Sequence, residues 1–137
     1  MTDDLAQFLR DRLDEDEEAA RNATTGPWWV EDTSPRYWGE ERDAEVSSAD
    51  GRLAVLQHEN DGALNAVHIV RWDPARVLAD MQAKRRIVAL HSDPHGGDPS
   101  CSSIDYPENA EDCETLRLLA LPYASHPDYR PEWAPDA

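Results

Sequence analysis

Four side chains suited to soft-metal chemistry fall within 23 residues: His91, His95, Cys101 and Cys113. Imidazole nitrogen and thiolate sulfur are the donors that a structural zinc gathers into a tetrahedron. Such an ion can hold a loop that has too little apolar surface to pack. The spacing, H-x3-H-x5-C-x11-C, contains no C-x-x-C pair and is not a standard zinc pattern. Three other readings stand beside zinc: two unrelated thiols, a Cys101–Cys113 disulfide, or solvated histidines. The disulfide is disfavoured in a cytosolic chain.

Beyond that cluster, the residues assemble no catalytic set. His58, His68, His91, His95 and His126 are dispersed, and no G-x-S-x-G places a nucleophile beside a base. Gly96-Gly97 reads as a turn, because a phosphate cradle needs a longer glycine pattern. His95 with Asp93 and Asp98 comes nearest to a hydrolytic metal site. The reading therefore leans away from an enzyme and assigns no catalytic or cofactor-binding residue. A hydrolase at this His/Asp-rich loop is kept as an alternative.

Five tryptophans are many for so polar a chain. Trp28 and Trp29 are adjacent in a strand-like stretch, so their side chains point to opposite faces and only one enters a core. The tryptophans compensate for a thin aliphatic core, or an exposed Trp29 joins Arg36, Tyr37 and Trp38 in a partner-binding spot. Trp, Tyr and Arg dominate such hot spots.

The elements that must position these residues follow from periodicity. Residues 3–21 carry Leu5, Phe8, Leu9 and Leu13 at helical spacing, with Ala20 extending the stripe and Thr2 as cap. The acidic run Asp14–Glu18 sets like charges at i,i+3 and i,i+4, so that half should fray unless a basic partner docks. Residues 22–27 break the helix. Trp28–Val30, Ala44–Ser47 and Arg52–Gln57, the last two joined at Ala49-Asp50-Gly51, predict a three-stranded antiparallel meander. Leu64 and Val67, with His68 or Arg71, recur at helical spacing and predict a short helix over 61–71. Asp73-Pro74 then reads as N-cap and first helical position of a helix over 74–91, striped by Val77, Leu78, Met81, Val88 and His91. Residues 92–109 lack periodicity, and so long a structureless stretch is functional, metal-held or mobile. Asn109 caps a helix over 110–123 striped by Leu116, Leu119, Ala120 and Tyr123. Residues 124–137, with Pro127, Pro131 and Pro135, should be extended and anchored by Tyr129 and Trp133. The expected fold is thus a single small α+β domain spanning 1–137.

Composition bounds the rest. The chain has 137 residues, 29 acidic against 13 basic, for a net charge of −16. Apolar residues make up 39%, below the usual ~45–50%. This balance argues against a basic nucleic-acid-binding face. No run approaches the ~18 apolar residues of a membrane span, and the acidic start does not read as a secretory signal. A cytoplasmic location follows as the expectation. The surplus is uneven. Residues 92–115 hold seven acids and no base, whereas Arg76, Lys84, Arg85 and Arg86 make the 74–91 helix basic. Part of the acidity is therefore read as an internal clamp on that helix. An acidic surface that imitates nucleic acid is a further alternative, and the sequence sets no oligomeric state.

Five blocks together resemble a known family: A-T-T-G-P-W-W at 23–29, H-I-V-R-W-D-P-A-R-V-L at 68–78, A-K-R-R-I at 83–87, C-E-T-L-R-L-L-A-L-P at 113–122 and H-P-D-Y-R-P-E-W at 126–133. In this order they resemble small proteins of actinobacteria and their phages called domain of unknown function 6221. The resemblance carries no activity to transfer. It does imply a zinc-binding set: a histidine ending the long helix, a C-x-x-C pair, and a cysteine just before T-L-R. His91, Cys101 and Cys113 match three of those positions, and Ile104 stands at the fourth. His95 or Asp105 would have to substitute.

The expected role is that of a small acidic accessory protein acting through another protein, with a phage or mobile-element relation. A zinc-stabilised binding module using His91, Cys101 and Cys113 is the second reading.

Overall fold

The computed structural model describes residues 4–31, 43–92 and 113–135. The stripe of Leu5, Phe8, Leu9 and Leu13 makes helix α1, Asp4–Asn22, and all four side chains are buried. Its acidic second half stays helical because the carboxylates find donors. Glu15 pairs with Arg12 at 2.8 Å, Asp14 pairs with Arg85, Asp16 accepts from the Tyr123 hydroxyl at 2.5 Å, and Glu17 pairs with Arg21. The docking of basic partners, not intrinsic propensity, settles the fraying in favour of the helix.

Strands β1 (Trp29–Glu31), β2 (Ala44–Ser48) and β3 (Gly51–Leu56) form one antiparallel sheet in the order β1-β2-β3. The hairpin turns through Ala49-Asp50. Gly51 follows at φ +117°, a backbone conformation that side chains with a Cβ rarely adopt. Val30, Val46 and Ala54 lie side by side in register, and with Ala44 and Leu56 they form the apolar face. Helix α2, Gly62–Arg71, seats Ala66, Ile69 and Val70 on that face. Burying each such aliphatic side chain contributes about 1.5–3 kcal/mol. The helix forms where expected, but it turns the Leu64–Val67 stripe to solvent. The sheet takes the opposite face, where Ala66 allows closer approach.

Helix α3 runs Pro74–Ser92 and buries Met81 and Val88. Asp73 caps it: its Oδ1 accepts from the N–H of Arg76 at 2.9 Å. Two of its basic residues are paired, Lys84 with Asp80 at 2.7 Å and Arg85 with Asp14, while Arg86 is exposed. Helix α4 spans Glu114–Ala120 and passes into a 3-10 turn over Leu121–Tyr123. Its start falls later than the expected 110, because Cys113 is extended (φ −74°, ψ 111°) and stands as the N-cap. The expected cap Asn109 lies outside the described residues, as does Thr2. The closing segment is not extended. Hydrogen bonds from His126 N–H to Tyr123 O, from Tyr129 N–H to His126 O and from Trp133 N–H to Arg130 O wind it into consecutive turns. Prolines that lack a donor are accommodated at the starts of those turns.

The architecture is α+β, with four α-helices and one three-stranded sheet among the described residues. The chain groups into two compact units, Met1–Asp16 with Asp80–Ala137, and Glu17–Ala79. The sheet and α2 lie in the second; α4 and the closing turns lie in the first. No helix among the described residues is long and apolar enough to cross a membrane.

Candidate functional site

Two of the four candidate metal ligands meet. The last turn of α3 presents His91, half-buried, and the N-cap of α4 presents Cys113, buried at 7% exposure. His91 Nδ1 lies 3.3 Å from Cys113 Sγ, and the thiol is free of any disulfide. As a hydrogen bond this contact lets the thiol donate to the imidazole. As one edge of a tetrahedron it is also apt, since Zn–N near 2.0 Å and Zn–S near 2.3 Å put the two donors about 3.5 Å apart. Donor chemistry and spacing therefore fit a shared zinc. No group of three His, Cys, Asp or Glu side chains suited to a metal exists among the described residues. His95, Cys101 and Asp105 lie outside them.

Of the expected partner-binding residues, Arg36, Tyr37 and Trp38 also lie outside the described residues. Trp29 is on β1 and 41% exposed, and its indole N–H donates to Glu31 Oε2 at 2.6 Å. Trp28 turns the other way, against the apolar core of the sheet. Its indole N–H donates to Thr24 O at 2.9 Å. Below the hairpin, Asp43 Oδ1 accepts from the backbone N–H of His58 at 2.9 Å. That bond holds the Asp43 carboxyl below its ordinary range.

Tyr129 and Trp133, expected as anchors, complete a second constellation around Phe8 whose members Arg12 and His126 sequence reasoning missed. The Phe8 ring meets those of Tyr123, His126, Tyr129 and Trp133 at centroid separations of 5.1–6.4 Å, mostly edge-on. The Arg12 guanidinium lies 5.0 Å over Phe8 and donates to His126 Nδ1 at 2.9 Å. The backbone N–H of Asp128 donates to the same nitrogen at 3.1 Å. Both partners can only donate, so His126 accepts at Nδ1 and carries its proton on Nε2. Three buried polar atoms in this cluster lack a hydrogen-bond partner among the described residues: Arg12 Nε, Tyr129 OH and Trp133 Nε1. Beside it opens a shallow cleft of about 180 Å³. Phe8, Trp133, Arg12, Arg130 and three aspartates line it. Arg12 at i+4 from Phe8, beside the leucine stripe of α1, was the available signal, since a helix-stripe position holding arginine calls for buried partners.

A model of the Family of unknown function (DUF6221) matches residues 2–135. The chain belongs to this family. No curated protein and no solved structure matches it. In this DUF6221 chain the blocks that carried the resemblance are structural junctions. A-T-T-G-P-W-W and R-W-D-P meet where the Trp28 N–H donates to Asp73 Oδ2. C-E-T-L-R-L-L opens on the cysteine that faces His91. H-P-D-Y-R-P-E-W supplies three of the rings around Phe8.

Proposed function

We propose that the chain is a zinc-held binding module that acts through another protein. The supporting observation is the approach of His91 Nδ1 to Cys113 Sγ, two soft donors from elements 22 residues apart. In this reading Cys101, with His95 or Asp105, completes the set. When bound, zinc supplies a structural cross-link that fixes residues 93–112 against the two helices. The role is that of a cytoplasmic accessory protein, related to phages or mobile elements of actinobacteria. The acidic composition supports it by favouring solubility.

Metal analysis of protein purified without a metal-affinity tag tests the reading. About one zinc per chain is expected, falling to background in Cys101→Ser and His91→Ala, with circular dichroism confirming that each variant retains its helices. Less than about a tenth of an equivalent in the wild type overturns it.

A further inference from the structure

Helix α2 wears its sequence pattern on the outside. Leu64, Val67 and Arg71 follow at i, i+3 and i+7, and Leu64, His68 and Trp72 at i, i+4 and i+8, so the two rows form one stripe. That stripe lies opposite Ala66, Ile69 and Val70, which pack on the sheet. Leu64 is 71% exposed, Val67 44% and Trp72 48%. Leu64 is the most exposed large hydrophobic side chain among the described residues. His68 and Arg71 are exposed among them.

The stripe is also the wrong sign for this protein. In a chain of net charge −16, α2 contains no acid at all. Of the two carboxylates that border it, Asp73 is buried and taken up by the N–H groups of Trp28 and Arg76, and exposed Asp61 stands at the N-cap, at the end away from the arginines. The Arg76 guanidinium lies 4.3 Å over the Trp72 ring and adds a second fixed positive charge to the end of the stripe. An apolar row flanked by arginines, on an otherwise acidic chain, is complementary to an apolar row flanked by carboxylates.

We infer that the outer face of α2, from Leu64 to Trp72 and Arg76, docks an acidic amphipathic helix of a partner protein. This names the partner class for the binding module proposed above, but it rests on α2 alone and does not require zinc.

The test is a titration of the full chain with a synthetic helical peptide carrying leucines at i, i+3 and i+7 and glutamates on the flanks. A lysine-flanked peptide of the same pattern is the control. The expected result is a weak complex, with Kd on the order of 100 µM at low salt. Amide chemical-shift changes should centre on residues 62–76, and the lysine peptide should bind at least about tenfold more weakly. Leu64→Asp and Arg71→Glu, both exposed, should each weaken the complex about tenfold while leaving the circular dichroism spectrum unchanged. Equal binding of the two peptides, shifts centred elsewhere, or no binding by the acidic peptide overturns the inference. So does a chain that dimerises in sedimentation and becomes monomeric with Leu64→Asp, because the occupant is then a second copy. Zinc content is unaffected by either variant, so failure here and failure of the zinc reading are separately visible.

Discussion

The backbone N–H of Trp28 donates to Oδ2 of Asp73 at 3.0 Å, across 45 residues of chain. The same carboxylate caps α3 through Oδ1, so a single buried side chain ties the entry to the sheet to the start of a helix. Gly26 belongs to this arrangement, since a Cβ there would stand 2.8 Å from Asp73 Oδ2.

Asp73→Ala removes the cap, about 1 kcal/mol, and strands the Trp28 N–H, about 1–3 kcal/mol more. The expected loss in urea denaturation is therefore about 2–4 kcal/mol. Gly26→Ala should lose about 1–3 kcal/mol by displacing the carboxylate from both donors. If either variant unfolds with the wild-type midpoint, Asp73 does not hold this junction.

Burial, with Asp16 as acceptor, raises the Tyr123 phenol well above its ordinary range. The neutral phenol is thus favoured in the folded chain. Its contribution is fully present below the unfolded value, near 10, and is lost as pH rises from there toward the raised folded value. Tyr123 should resist ionisation in an absorbance titration at alkaline pH, and Tyr123→Phe should delete that late phase. Wild-type stability should fall above pH 10 more steeply than that of the variant.

Arg12 is 7% exposed, stacks on Phe8 and bonds both His126 and Glu15. Arg12→Ala should destabilise by about 2–3 kcal/mol through lost packing and lost hydrogen bonds. Arg12→Met keeps the apolar stem and should recover about half of that loss, as judged by denaturant midpoints. Equal loss in both variants would assign the stabilisation to the charge alone.

Where local rules governed the outcome, the sequence was easily read. The Asp-Gly hairpin, the Asp73-Pro74 helix start and the leucine stripe of α1 each depend on residues within a few positions of one another. Helical spacing of Leu64 and Val67 identified α2 but could not orient it. A row of small and β-branched residues, Ala66, Ile69 and Val70, fits the sheet more closely, and that preference belongs to the partner surface. Cys113 at the N-cap of α4 meets His91, and the turns of the closing segment carry rings packed on Phe8. Both are tertiary effects across many residues, invisible to periodicity. At the candidate site, residue types pointed to His91 and Cys113, and only the fold brings them within contact. The cluster around Arg12 went unread because arginine in an acidic helix looks like solvent-facing charge.

Phe8 and Trp133, whose rings lie 5.1 Å apart, are synthesised 125 residues apart. At ordinary elongation rates of about 5–20 residues per second, roughly 6–25 s separate the two. For the second half of that interval the leucines of α1 await their closing aromatic, while the sheet and α2 are already translated. The carboxylates interspersed along α1 then act as a solubilising guard on a nascent helix, before they become the ion pairs of the finished protein.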